Sequence, residues 1–226
     1  MESIEFLKTL SLFKGISEDA IRKILAIAKE KRYKKGEIIY YQGDISYTLD
    51  IIKKGKLKVT IMTEEGKEKI LAILSEGDII GEISLIDNRP RSATVEALED
   101  CSLLSIKKED FGKFLLEYPK ISIEIARILS ERLRDADRSI EELTFYDVRT
   151  RIISLLISLG ERYGKPISNG IEIHIRFTHQ ELADLVGSSR ETITRVLGEL
   201  QENKIIRIEK DKILIIAPEK LKIFKS

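Results

Sequence analysis

The segment 187–195, Gly-Ser-Ser-Arg-Glu-Thr-Ile-Thr-Arg, constrains the fold more than any other stretch of the chain. Ser188 and, three positions later, Glu191 form the pattern of a capping box, which predicts where a helix begins. The i, i+4 rule then separates polar from apolar side chains onto two faces. The polar face holds Arg190, Glu191, Thr194 and Arg195, and the apolar face holds Ile193, Val196, Leu197 and Leu200. We expect the apolar face to pack and the polar face to meet a partner.

A second capping pattern, Thr178 with Glu181, opens another short helix that Gly187 ends. Two short helices joined by a glycine turn are typical of a helix-turn-helix. Apolar runs at 205–208 and 213–216 flank a polar stretch and predict a hairpin wing, and the alternation over 171–177 predicts a half-buried strand. The sequence therefore predicts a winged helix-turn-helix.

The chemistry of the polar face favours nucleic acid as the partner. An arginine can donate to O6 and N7 of guanine, and a glutamate can accept from the amino group of cytosine, both in the major groove. For Arg190 or Arg195 alone, an ordinary solvated helix face is the better interpretation, but two consecutive caps, the turn glycine and a wing reverse that preference. Charge adds little, since residues 147–226 hold 14 basic and 11 acidic side chains, a net charge of +3.

Composition limits the other functional classes. The 226 residues suit two domains, and 42% hydrophobic with 34% charged residues is typical of a globular protein. No apolar run approaches the roughly 20 residues of a membrane span, and Met1-Glu2-Ser3 opens no signal peptide, so we expect a cytoplasmic protein with no membrane partner. Cys101 is the lone cysteine, and His174 and His179 both lie in the second half, so we expect no metal site. No catalytic constellation emerges, which argues against an enzyme.

Residues 31–106 alternate short apolar runs with glycine-centred corners, which predicts an all-β barrel, roll or sandwich after a helical lead-in over 18–30. Within it, Gly81-Glu82-Ile83-Ser84-Leu85-Ile86 is predicted to form one helical turn, followed by Arg91 and Ser92. Free backbone N–H groups, an arginine and a hydroxyl can together hold a phosphate. The ordinary alternative is a turn glycine and a solvated arginine.

A helix is predicted from Ile121 to Leu143, with apolar residues in the 3-4-3-4-3 spacing of a coiled-coil seam. The predicted dimerisation residues are Ala126, Leu129, Leu133, Ala136, Ile140 and Leu143. A dimer about this seam would suit a helix-turn-helix that binds paired half-sites. Packing of the seam on the chain's own β-roll is the alternative. We expect domains at 1–118, 119–146 and 147–226.

These motifs together resemble the CRP/FNR family of bacterial transcription regulators over essentially the whole chain. The resemblance rests on the β-roll glycines, Gly81-Glu82-Ile83-Ser84-Leu85, Pro90-Arg91-Ser92-Ala93-Thr94-Val95, Leu143-Thr144-Phe145-Tyr146-Asp147-Val148 and Ser189-Arg190-Glu191-Thr192. It implies an α+β fold: an N-terminal double-stranded, jelly-roll-like β-roll, a long dimerisation helix and a C-terminal winged helix-turn-helix. It also implies a homodimer, an inverted-repeat operator with TGTGA-like half-sites, and RNA polymerase as a partner.

The resemblance further assigns roles to residues. Arg91 and Ser92 would hold a cyclic phosphate and Glu82 the ribose hydroxyl, in a cassette with Gly81, Ile83 and Ser84, while Val59, Leu71 and Leu74 would wall the pocket. Arg190, Glu191 and Arg195 would contact bases, with Ser189 and Thr194 on the same face and Thr178, His179 and Gln180 near the backbone or groove edge.

Two departures from the family pattern concern the effector. The cAMP-responsive members contact adenine through a Thr-Ser pair on the connecting helix, and Ala136 and Asp137 occupy those positions here. Three effectors therefore remain open: a cyclic nucleotide (cAMP-like), a different anion, or no ligand. Two alternative functions remain as well. The chain could be a ligand-independent regulator with a vestigial pocket, or a cyclic-nucleotide-binding module that acts through a protein partner. The cysteine cluster of FNR-type members and the His and Cys ligands of the haem-binding sensor are missing, so neither an iron–sulfur cluster nor haem is expected.

Overall fold

A computed structural model describes residues 2–175, 177–209 and 212–223. The chain divides into two compact units, Met1–Arg134 and Asp135–Ser226, and the long helix contributes residues to both. The three-part division expected from the sequence instead treats that helix as a segment of its own, and it stays a proposal. Among the described helices, none combines the length and apolar character needed to cross a bilayer.

The N-terminal unit opens with helices α1 (Glu2–Thr9) and α2 (Glu18–Ile27), separated by a 3₁₀ turn at Ser11–Phe13. The Ser17 hydroxyl caps α2 by accepting from the Ala20 N–H at 3.3 Å. The predicted lead-in helix thus begins where expected but ends at Ile27 rather than Glu30. The reason is strand β1 (Lys29–Tyr33), whose pairing with a distant strand overrides the local helical pattern. Helix α1 was not predicted.

Eight strands in the described part of this unit form two four-stranded sheets with antiparallel pairing throughout. After β1 they are β2 (Ile38–Tyr40), β3 (Thr48–Lys54), β4 (Leu57–Met62), β5 (Glu68–Leu74), β6 (Ile79–Ile80), β7 (Thr94–Ala97) and β8 (Cys101–Lys107). The strand orders are β1-β8-β3-β6 and β2-β7-β4-β5. This confirms the predicted jelly-roll-like β-roll.

The inner faces of the two sheets enclose one apolar core, and the outer face of the β3 sheet packs on helices. Ile52 of β3 and Leu103 of β8 belong to the inner core, whereas Leu49 and Ile51 of β3 pack with Phe13 and the helices. Successive residues of a strand face opposite sides, so both faces of β3 are buried. The remaining helices of this region are α3 (Glu82–Asp87), α4 (Lys108–Glu117) and the long α5 (Lys120–Phe145).

The C-terminal unit beyond α5 is the predicted winged helix-turn-helix. Its elements are α6 (Val148–Tyr163), β9 (Gly164–Ile167), β10 (Gly170–Ile173), α7 (His179–Val186), α8 (Arg190–Glu202), β11 (Ile206–Glu209), β12 (Lys212–Ile215) and α9 (Pro218–Ile223). The sheet order is β11-β12-β10-β9. The apolar faces of α6, α7 and α8 share one core with β10, β11 and β12.

One detail of this unit differs from the sequence-based expectation. The strand predicted over 171–177 ends at Ile173, because Ile173 pairs with Gly164, the first residue of β9, and the residue before Gly164 belongs to α6. Arg176 of that predicted strand, and Lys210 and Asp211 of the predicted wing turn, lie outside the described residues.

Candidate functional site

The phosphate site predicted from residues 81–86, Arg91 and Ser92 is called the anion cradle here, and Gly81 begins it with a backbone that only glycine adopts easily. Its φ is +89°, and it is the N-cap of α3, so the predicted helical turn is present. A Cβ at this position would lie 2.1 Å from Nη1 of Arg91 and 2.8 Å from the Thr48 carbonyl oxygen. A side chain here would therefore displace the arginine from its place in the β-roll.

The Arg91 guanidinium is buried inside the roll, with 6% of the residue exposed. Its Nη2 donates to the carbonyl oxygen of Thr48 at 2.7 Å and lies 3.3 Å from the Thr48 hydroxyl, and its central carbon stands 3.6 Å from the centre of the Tyr40 ring. Nε and Nη1 are buried and have no partner among the described residues. Because an unpaired buried donor is costly, these two N–H groups are suited to an anionic ligand.

Glu82 lies beside Arg91 and has one unused oxygen. The residue is 1% exposed; its Oε1 accepts from Nη1 of Arg132, while Oε2 is buried and lacks a partner among the described residues. Arg132 also donates through Nη2 to the Ile79 carbonyl oxygen at 2.7 Å. The long helix α5 thus contributes a cation to the cradle. The sequence analysis missed Arg132, whose only local signal is its position beside the apolar seam.

Asp50 is a second acidic residue in the roll that the sequence analysis missed. It stands on β3 with 1% exposure, and its Oδ2 accepts from the Thr48 hydroxyl at 2.9 Å. Burial raises the pKa of this carboxyl to about 6, against the opposing effects of Ser105, Lys31 and Arg91. Thr48 therefore bonds both a carboxyl group, that of Asp50, and a guanidinium group, that of Arg91. An acidic residue inside the apolar run 49–52 was the available signal.

The other predicted cradle residues are less closely grouped. The Ser84 hydroxyl is buried and donates to the Pro90 carbonyl oxygen at 3.2 Å, so it serves the local fold, while Ser92 and Ile83 are exposed. Of the predicted pocket wall, Leu74 is buried in the inner core with Val59 packed against it. Leu71 is 52% exposed, at a bulge where Val59 pairs with Ala72 and Thr60 with Ile70. The assignment of these residues to a pocket stays a prediction.

The predicted seam on α5 is only partly covered by the chain itself. Leu129 packs against the helical core of the N-terminal unit, as the alternative of packing on the β-roll requires. Leu133 and Ile140 are each 63% exposed and Leu143 is 48% exposed, and Ala126 and Ala136 are also exposed. Within the described residues, the C-terminal part of the seam therefore remains an uncovered apolar stripe.

The helix-turn-helix has the predicted first cap but not the predicted second one. Thr178 and Glu181 form a capping box, and Gly187 ends α7 with φ +73°. The cap of α8 is Ser189, whose hydroxyl accepts from the Thr192 N–H at 3.2 Å, so the capping box at Ser188 and Glu191 is wrong. The physical reason is that the Ser188 N–H bonds the Ala183 carbonyl oxygen at 3.0 Å and belongs to the end of α7.

The polar face of α8 forms one open surface. Arg190, Glu191, Thr194 and Arg195 together line a shallow hollow. Hydrogen bonds from its own backbone N–H and from Ser189 lower the pKa of Glu191, so its carboxylate is charged at neutral pH and can accept a hydrogen bond. Arg195 pairs with Glu199 at 2.9 Å.

Two contacts on α7 determine what its exposed residues can do. Nδ1 of His179 lies 2.8 Å from the Thr194 hydroxyl, which itself donates to the Arg190 carbonyl oxygen at 2.9 Å. His179 therefore links α7 to α8. Gln180 donates to Asp184 at 2.8 Å within its own helix. Thr178, through its cap, is likewise engaged within the protein.

Comparison with known proteins agrees with this arrangement. Residues 30–118 match the family described as cyclic nucleotide-binding domain, and residues 150–224 match the Crp-like helix-turn-helix domain. The cyclic AMP receptor protein of Thermus thermophilus is 33% identical over 202 residues, which cover 89% of this chain and 90% of that protein.

Solved structures give the same result. A mutant of CooA from Carboxydothermus hydrogenoformans superposes with a TM-score of 0.78 at 27% identity, covering 90% of both chains. The c-di-GMP-responsive regulator CLP of Xanthomonas campestris superposes with a TM-score of 0.77 at 27% identity, covering 88% of this chain and 99% of that one. With a cyclic nucleotide-binding β-roll and a Crp-like helix-turn-helix along one chain, the protein belongs to the CRP/FNR family of bacterial transcription regulators.

Proposed function

We propose that the chain is a homodimeric transcription regulator that binds an inverted-repeat operator and is modulated by a cyclic nucleotide in the β-roll. The observation that carries the effector part is the pair of unpartnered N–H groups on buried Arg91 beside the unused Oε2 of Glu82. No role as an enzyme and no haem or iron–sulfur cluster is part of the proposal.

A cyclic nucleotide satisfies both sets of unused atoms at once. Its singly charged phosphate accepts from Nε and Nη1 of Arg91, and its ribose hydroxyl donates to Oε2 of Glu82. The Thermus relative is named for cyclic AMP and the Xanthomonas regulator is described as responsive to c-di-GMP. Because Ala136 and Asp137 offer no pair of hydroxyls to an adenine, the base is not specified, and the three probes to compare are cAMP, cGMP and c-di-GMP.

Thermal unfolding of the full chain with each nucleotide tests the effector proposal. A ligand at 100 times its dissociation constant adds about 2.7 kcal/mol to the free energy of unfolding. We expect one of the three to raise the melting temperature of the wild type and to lose that effect in Arg91→Ala. If none raises it, the proposal that a cyclic nucleotide is the effector fails, and a different anion or a vestigial pocket remains.

The second copy of the chain is proposed to cover the exposed stripe on α5. Leu133, Ile140 and Leu143 lie at a and d positions and are 63%, 63% and 48% exposed in one copy, as expected for one helix of a coiled coil without its partner. A two-fold axis along this seam presents two α8 helices to DNA, as paired half-sites need. RNA polymerase is the proposed further partner, and the cytoplasm the proposed location.

The DNA-reading role is proposed for the hollow on α8. Arg190, Glu191 and Arg195 would contact bases, with Ser189 and Thr194 at the same face and Thr178, His179 and Gln180 nearer the backbone, on half-sites resembling TGTGA. Footprinting of full-length protein on DNA recovered by selection tests this role. Protection of two half-sites about one helical turn apart is expected, and protection of a single site or of none contradicts it.

A further inference from the structure

We propose that Arg151 is a positioning residue that ties the helix-turn-helix to the end of α5 and thereby sets the half-site spacing that the dimer reads. This inference rests on the proposed DNA-binding dimer, because a spacing exists only where two copies of α8 bind together.

Arg151 stands in the first turns of α6 and bonds two backbone carbonyls from different helices. Its Nη1 donates to the Tyr146 carbonyl oxygen at 2.9 Å, and its Nη2 donates to the Gly187 carbonyl oxygen at 3.2 Å. Tyr146 follows the last residue of α5, and Gly187 is the C-cap of α7. The last carbonyls of a helix lack partners within the helix, so one guanidinium satisfies two helix ends and joins them.

The chemistry of this contact requires an arginine. A planar guanidinium presents donors in a fixed fork, whereas a lysine ammonium is a compact charge on a flexible stem. A cation at two helix C-termini also meets the negative ends of both helix dipoles. Nε of Arg151 is buried and has no partner among the described residues, so the side chain is enclosed rather than freely solvated. The fork therefore holds the two carbonyls at a defined separation.

That separation determines where α8 begins. Gly187 has φ +73°, the next residue bonds back to Ala183, and Ser189 already caps α8. Each residue between the carbonyl bonded by Arg151 and the base-reading first turn at Arg190 is therefore fixed by its backbone angle or by a hydrogen bond. Since α5 carries the proposed dimer seam, Arg151 relates the end of the seam to the start of α8 within each copy.

The test measures binding of full-length protein to palindromes that differ only in spacing. Fluorescence anisotropy would compare wild type, Arg151→Ala and Arg151→Lys on the selected operator, on operators with one base pair inserted or deleted, and on one isolated half-site. A one-base-pair change moves a half-site by about 3.4 Å. Wild type is expected to lose at least about tenfold for each change, comparable to a mismatched base pair.

In Arg151→Ala the three spacings are expected to differ by less than about threefold, while half-site affinity is kept, because each α8 still reads its bases. Arg151→Lys should resemble the alanine variant, since it keeps the charge without the fork. As a matched control, Arg138→Ala removes a guanidinium of α5 that bonds Asp135 of its own helix, and it should keep the wild-type profile.

The spacing profile separates positioning from a simple loss of contact or of folding. The inference is overturned if Arg151→Ala weakens every operator and the half-site by the same factor, or leaves the profile unchanged. If the alanine variant does not fold, Arg151→Lys decides by the same criterion. Failure of wild type to bind paired half-sites contradicts the proposed dimer function itself and the inference with it, whereas binding with an unaltered profile in the variants contradicts only the role of Arg151.

Discussion

Replacing Asp50 by asparagine should make the protein more stable at neutral pH, and the gain should grow with pH. The carboxyl is buried inside the β-roll, and its pKa is about 6 in the folded chain against 3.8 for an ordinary aspartate. Between those values the folded state holds more protons than the unfolded state, so the free energy of unfolding falls as pH rises. The loss is complete above pH 6. A shift of this size corresponds to about 3 kcal/mol.

Asparagine cannot ionise, so Asp50→Asn avoids that loss while keeping an acceptor for the Thr48 hydroxyl. Urea unfolding at pH 4.5, 5.5, 6.5 and 7.5, followed by circular dichroism, gives the difference in free energy of unfolding between variant and wild type. That difference should increase by about 2 kcal/mol across the series, because about 1 kcal/mol of the total is already lost at pH 4.5. Asp137→Asn, at an exposed carboxylate of α5, is the matched control for the same replacement outside the β-roll.

A difference for Asp50→Asn that stays constant within about 1 kcal/mol from pH 4.5 to pH 7.5 would refute the reasoning. Such a result would mean that the Asp50 carboxyl is solvated or paired in the folded protein. The interior of the β-roll would then not be shielded from water, and the unpartnered polar atoms of the cradle would no longer indicate a ligand.

Three further outcomes follow from the same geometry. Leu133→Glu places a charge in the exposed seam and should yield monomers with weak operator binding; a monodisperse dimer in light scattering contradicts the seam. Arg91→Ala should weaken nucleotide binding by at least about 1.5–3 kcal/mol in calorimetry, and unchanged affinity removes Arg91 from the site. Lys204 follows α8 with φ +55°, a backbone conformation that favours glycine. Lys204→Gly should therefore raise the free energy of unfolding, measured by urea titration, by about 0.5–1 kcal/mol. A lower free energy of unfolding would show that the contacts of the lysine side chain outweigh the backbone strain.

Local chemistry explains which parts of the fold were predictable. Thr178, Glu181 and Gly187 act through hydrogen bonds and backbone angles within a few residues, so the start and end of α7 could be predicted from the sequence. The cap of α8 was placed one residue too early because two serines are adjacent, and a bond from Ser188 to the preceding helix decides between them. The end of α2 depended on the pairing of Lys29 with Ser105, which no local pattern contains.

Only those cradle residues that lie close together in the sequence could be predicted from it. Gly81, Glu82 and Arg91 lie within eleven positions, and they lie close together in the structure. Arg132 lies 50 positions from Glu82, and Thr48 lies 43 positions from Arg91, so these contacts depend on how α5 and β3 pack. Spacing within the sequence could not have placed either residue in the site.

Selection of binding sites from random DNA, run in parallel with wild type and Arg190→Ala, tests the central claim that the polar face of α8 reads bases. Wild type should select an inverted repeat with half-sites resembling TGTGA about one helical turn apart. Arg190→Ala should lose about 1–3 kcal/mol on that site and lose its preference at one guanine, whereas loss of a phosphate contact would weaken all sequences alike. Recovery of the same motif by both proteins, with the same information at every position, would contradict the base-reading role of Arg190 and the account built on it.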